Sequence, residues 1–161
     1  MKAKKLALCG LLTALALVLS YLESLVPLSF SVPGVKMGLP NLAILFALYR
    51  LGFKEAAVIS LIRVLLVSLL FGNVFSLAYS AAGAALALGV MWLLRRSGKF
   101  GTTGVSVAGA VAHNIGQILV AMAVLETGAI AAYLPVLLLT GTAAGVCIGL
   151  VSAVLINRVK L

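Results

Sequence analysis

The sequence contains no aspartate, and its only acids are Glu23, Glu55 and Glu126. An enzyme that holds a diphosphate against Mg²⁺ needs clustered carboxylates to carry the metal, and three scattered glutamates do not supply them. There is no G-x-x-x-x-G-K-[ST] sequence: Gly98-Lys99 is followed by Phe100 and lacks the glycine loop, which excludes ATP hydrolysis by a P-loop. The one histidine, His113, has no second histidine, aspartate or paired cysteines to complete a metal motif or a triad. The two cysteines, Cys9 and Cys147, fall inside apolar runs, where a thiol behaves as a small hydrophobe and implies no disulfide framework. These absences predict a protein that is not an enzyme and that uses neither a metal nor another cofactor.

Charge of either sign is scarce. Of 161 residues 9% are charged and 64% hydrophobic, whereas a soluble domain carries about 25% charged residues. The composition is that of an integral membrane protein. Apolar runs fill the chain between short polar interruptions, so residues 1–161 read as a single membrane domain. The first run, LALCGLLTALALVLSYLESLVPL, is longer than the roughly 7–15 residues of a signal-peptide core and is followed by no clear A-x-A site. It reads as a retained helix. The net charge of +9 gathers at the ends of apolar runs, which points to anionic lipid and topology rather than to nucleic acid.

A hydrocarbon core about 30 Å thick takes roughly 20 residues of helix. Candidate spans are 6–26, 38–53, 55–71, 74–94, 103–125 and 131–156. The second is the weakest: Pro40 opens it, Arg50 interrupts it, and about 16 residues at 1.5 Å reach only some 24 Å. The charge distribution argues that it crosses. With six spans and a cytoplasmic N-terminus, Lys2, Lys4, Lys5, Arg50, Lys54, Arg95, Arg96, Lys99, Arg158 and Lys160 all lie inside, leaving Lys36 outside and Arg63 within the membrane. If the second segment stayed on one side, only Lys2, Lys4 and Lys5 would remain inside. The positive-inside rule therefore predicts an all-α bundle of six transmembrane helices in the cell membrane, with both termini cytoplasmic. Tyr21 and Tyr133 near outer ends, and Tyr49 and Trp92 near inner ends, read as interface anchors.

Small residues recur at four-residue spacing: Gly141, Gly145 and Gly149 on the last helix, and Gly104, Ala108, Ala112 and Gly116 on the fifth. Such stripes let helix backbones approach closely, either within the bundle or against a partner protein. The first helix offers Ala3 with Ala7 and Gly10 with Ala14 near its cytoplasmic end.

Polar residues inside the membrane are costly, and they normally face the bundle interior or a wet cavity. In GAVAHNIGQILVA they are His113, Asn114 and Gln117, placed from the midplane toward the outer face. Asn73, Ser76, Tyr79 and Ser80 lie in the outer half of the fourth helix, Arg63 near the middle of the third, Glu23 at the outer end of the first, and Asn41 at the outer start of the second. Each could simply hydrogen-bond between helices, and Arg63 could pair with Glu23. Their coincidence in the outer half, opposite inner halves of Leu, Val, Ala and Gly, instead favours a ligand site. The outer loop VPLSFSVPGVKMGLPN is broken by Pro27, Pro33, Gly34, Gly38 and Pro40 yet holds Val32, Val35, Met37 and Leu39. It is expected to cap the bundle mouth, with Lys36 turned either to the ligand or to solvent. Lys36, Arg63 and His113 would suit an anionic or phosphate-bearing ligand.

PGVKMGLPN, the central Arg63, FGNVFSLAYSAAGA and AHNIGQ together resemble the Gx transporter family, often labelled heptaprenyl diphosphate synthase component I. The resemblance covers nearly the whole chain. That family is in turn similar to the S components of energy-coupling factor vitamin transporters. The resemblance implies six helices, an outer substrate site capped by the first loop, and a first helix whose small residues, here Ala7, Gly10 and Ala14, dock on a transmembrane coupling subunit driven by ATPases. The first helix lacks a clear A-x-x-x-A in its middle. The expected function is uptake of a small organic molecule, vitamin-like or a precursor of isoprenoids or quinones. The alternative is an accessory membrane subunit of isoprenoid or quinone metabolism, or of a membrane redox system, that does not transport.

Overall fold

The computed structural model of the chain describes residues 2–25, 38–72 and 74–159. Among these residues it is an all-α bundle of six α-helices: α1 Lys2–Leu25, α2 Asn41–Arg50, α3 Phe53–Phe71, α4 Val74–Ser97, α5 Thr102–Leu125 and α6 Leu134–Arg158. A 3-10 helix, Gly128–Tyr133, leads into α6. Among the described residues four helical segments are long and apolar enough to cross a membrane: Ala3–Leu25, Val74–Ser97, Thr102–Leu125 and Gly128–Arg158. The chain is a membrane protein. Large exposed side chains such as Leu6, Leu69, Val74 and Leu139 cover its outer surface, as expected where the solvent is lipid.

The second helix departs most from the expected span of 38–53. It has only ten residues, about 15 Å of helix. Its six central residues, Ala43 to Leu48, are all buried. A helix apolar on every side belongs at the centre of a bundle, and α2 forms the core with Leu12 and Ala16 of α1, Ala56 and Ile59 of α3, and Ala87, Leu88 and Met91 of α4.

Both ends of α2 are tied. At its start, the Glu23 carboxylate of α1 accepts a hydrogen bond from the Gly38 backbone N–H. At its end, the Arg95 guanidinium of α4 donates to the carbonyls of Leu48 and of Tyr49, the latter at 3.2 Å, and lies over the Tyr49 ring. Arg50 donates to the Val159 carbonyl just past α6. The final carbonyls of a helix lack partners within it, so Arg95 satisfies groups that would otherwise be stranded. Gly52 then turns the chain into α3 with φ 115° and ψ 179°, a conformation open essentially to glycine alone. Lys5 and Glu55 pair at 2.5 Å beside this turn. One end of the bundle thus gathers Lys5, Arg50, Lys54, Arg95, Arg96 and Arg158, and is called the basic end below. The opposite end holds Glu23, Gly38 and the Tyr21–Phe71 ring pair, whose centroids lie 5.4 Å apart.

Helices α4, α5 and α6 pack through glycine. A methyl group on Gly145 or Gly149 would come within 2.7 Å of the Cα of Val107 or Thr103 on α5, so the last-helix stripe packs inside the bundle. On α5 the close approach to α4 uses Gly109, against Met91, and Gly116, against the backbone of Ala82 and Gly83. Of the expected stripe, Ala112 is buried and Gly116 makes this contact, while Gly104 does not. Gly104 is exposed and meets only the Phe100 side chain, because residues seven apart, such as 109 and 116, share a helix face more closely than the run of fours beginning at 104.

Candidate functional site

Toward the opposite end, the start of α6 and the 3-10 helix splay from α4 and α5 and leave a cavity of about 320 Å³. Its wall carries Tyr79 of α4, Gln117, Ile118 and Ala121 of α5, Tyr133 of the 3-10 helix and Leu137 of α6. Two phenols and one carboxamide provide the hydrogen-bonding groups; the rest of the wall is apolar, with no charged side chain among the described lining residues. Such a wall suits an organic molecule with a mainly apolar body and a few polar atoms, and the volume lies at the lower end of the range for small-molecule pockets, about 300–1,000 Å³.

The expected site residues divide by position. Tyr79 and Gln117 line the cavity. Asn114 is buried, and its Nδ2 donates to the Leu137 carbonyl at 2.6 Å, across the α5–α6 contact. That bond has a local cause: Gly141, one turn on from Leu137 and with no side chain, leaves room for the Asn114 carboxamide beside the helix. His113 is buried on the other side of α5, against Gly83 of α4, where a methyl group would come within 2.9 Å of the imidazole. Ser80 is buried and Ser76 half-buried, one turn apart on α4.

Arg63 and Asn41 do not line this cavity. Arg63 is 7% exposed, and its Nε has no hydrogen-bond partner among the described residues. Glu23, its expected partner, accepts a hydrogen bond from the Gly38 backbone N–H. Asn41 is half-buried at the start of α2, beside Gly38, where its backbone N–H donates to the Gly38 carbonyl at 2.8 Å. Lys36, Asn73 and most of the expected capping loop lie outside the described residues. On α1, Ala7, Gly10 and Ala14 are exposed, and a methyl group on Gly10 would meet nothing within 4 Å.

The sequence reading missed Ile118, Ala121, Leu125, Ile130 and Leu137 as cavity residues and took Tyr133 as an interface anchor. Apolar wall residues carry no signal that separates them from lipid-facing ones. A tyrosine followed at once by Leu134-Pro135, where a helix can start, was the available clue to a break in the chain that sets residue 133 beside the cavity.

No curated protein and no solved structure matches the chain significantly. The sequence profile described as heptaprenyl diphosphate synthase component I matches residues 12–155, from the middle of α1 almost to the end of α6, and the chain belongs to that family.

Proposed function

We propose that the chain is the substrate-binding subunit of a membrane uptake system, resembling an S component, and that it takes a small, mainly apolar organic molecule into the cavity between α4, α5 and α6. The supporting observation is that cavity, with Tyr79, Gln117 and Tyr133 on an otherwise apolar wall. The ligand class follows from the wall. A vitamin-like molecule or an isoprenoid or quinone precursor with few polar atoms fits this wall better than a strongly anionic one, because among the described residues neither Arg63 nor His113 reaches the lining.

In this reading the chain is not an enzyme. The opposite end faces outside, the basic end faces the cytoplasm, and Ala7, Gly10 and Ala14 of α1 meet a transmembrane coupling subunit whose ATPases supply the energy. Component I in the family description favours a second reading, an accessory membrane subunit of isoprenoid or quinone metabolism that works with a partner and does not transport.

The deciding experiment is affinity purification from membranes with mass spectrometry of both the protein partners and the organic extract. Transport predicts ATPases and a coupling subunit, with a small molecule whose recovery falls in Gln117→Ala. A synthase or reductase in their place would establish the second reading.

A further inference from the structure

A second concavity, of about 360 Å³, lies between α3 and α4 in the half of the bundle nearer the basic end. Its wall includes Phe53, Ala57 and Ser60 of α3 and Ala81, Ala85 and Gly89 of α4, with Ser60 the one polar side chain. Ala81 and Ala85 are exposed, and a methyl group on Gly89 would meet nothing within 4 Å, so the groove opens outward along a line of small residues. At the basic end the Phe53 and Trp92 rings stand 5.2 Å apart, and the Arg96 guanidinium lies 5.5 Å from the Trp92 ring centre.

Helical spacing continues the groove into that mouth. Gly89 and Arg96 are seven residues apart on α4, as are Ala85 and Trp92, so each pair shares a face. Lys54 and Leu61, which also lines the groove, are related in the same way on α3. Lys54 and Arg96 are both exposed, and Glu55, the acid nearest Lys54 in sequence, pairs with Lys5 at 2.5 Å. The mouth is therefore cationic and aromatic, and the groove behind it apolar.

We infer that this groove binds one acyl chain of an anionic phospholipid, whose phosphate sits between Lys54 and Arg96 at the level of the Phe53–Trp92 pair. Charge complementarity selects an anionic headgroup, and aromatic rings at that depth belong at the headgroup boundary. Length separates a lipid tail from a partner helix. From Phe53 to Val64 the groove extends for about 16 Å, half of the roughly 30 Å that a spanning helix would need to lie against. Beyond it α3 presents Leu65, Leu69 and Leu70, all exposed and bulky, where a docked helix would need small residues. The site is separate from the α4–α6 cavity and does not depend on the transport reading.

The test is native mass spectrometry of the purified full chain in detergent, with equimolar phosphatidylglycerol and phosphatidylcholine of identical acyl chains. The first bound lipid should favour phosphatidylglycerol, by about fivefold for each basic residue engaged. Lys54→Gln with Arg96→Gln should bring the ratio to near one. Gly89→Leu, and independently Ala85→Leu, should remove the adduct by filling the groove while the monomer mass and helical content persist. Equal retention of the two lipids by the unaltered chain would overturn the proposal, as would a preference that survives both groove-filling substitutions. A dimer abolished by Gly89→Leu would overturn it in favour of a second copy of the chain.

Discussion

Asn114 Nδ2 and the Leu137 carbonyl are 2.6 Å apart, joining α5 to the first turns of α6 at the edge of the cavity. Gln117, one turn further along α5, is half-buried on the cavity wall. Two neighbouring amides on one helix are therefore predicted to fail differently. Asn114→Ala should lower thermal stability in detergent by about 1 kcal/mol, the usual worth of an interhelical hydrogen bond in a membrane protein. Gln117→Ala should leave the melting temperature nearly unchanged and reduce recovery of the bound small molecule. Equal loss of stability in both variants would remove Gln117 from the site.

Gly116 and Gly83 form the tightest backbone crossing of α4 with α5. A methyl group on Gly116 would stand 2.9 Å from the Ala82 carbonyl oxygen and from the Gly83 Cα, atoms that cannot move aside as a side chain could. Gly116→Ala is expected to cost about 1–3 kcal/mol, the range for overpacking a well-filled interior. Gly10→Ala, where nothing lies within 4 Å, serves as the control and should be neutral. Thermal unfolding of the two variants in the same detergent checks the contrast.

The gathering of Lys5, Arg50, Lys54, Arg95, Arg96 and Arg158 at one end predicts a cytoplasmic basic end. In a background without Cys9 and Cys147, a membrane-impermeant thiol reagent applied to intact cells should modify a cysteine at position 36 and spare cysteines at 54, 97 and 160. Modification at 97 would reverse the orientation.

If α1 docks on an energising subunit, bulk at its exposed small residues should block coupling while sparing the α4–α6 cavity. Gly10→Trp or Ala14→Leu should abolish ATP-driven uptake in reconstituted vesicles and leave ligand recovery from detergent unchanged. Concentrative uptake by the chain alone, driven by a proton or sodium gradient, would mean that no such subunit is needed.

The positions of α1, α3, α4, α5 and α6 were legible because apolar runs bounded by basic residues and glycine set them within a few residues. The length of α2 was not. Leu39 and Leu51 extend its apolar run at both ends, but the backbone turns at Gly38 and Gly52, with φ of 74° and 115°, confine the helix to ten residues. The depth of His113, Asn114 and Gln117 was likewise readable from the register of α5. Their directions were not, since successive residues point about 100° apart and only the packed neighbours reveal which side meets α4 and which meets α6. Arg63 illustrates the same limit. Its burial near the middle of α3 could be expected, whereas its separation from the cavity depends on how α3 sits beside α4.

The brevity of α2 bears on how the chain is made. A ten-residue segment is too short to be retained in a bilayer on its own hydrophobicity when it leaves the ribosome. Glu23 is already synthesised by then and can hold its beginning, but the guanidinium that satisfies its last carbonyls belongs to Arg95, at the far end of α4. Settled insertion of the second segment should therefore wait for the fourth to emerge. Nascent chains arrested before residue 95 should leave α2 open to protease or thiol reagents, and chains arrested well beyond it should protect it.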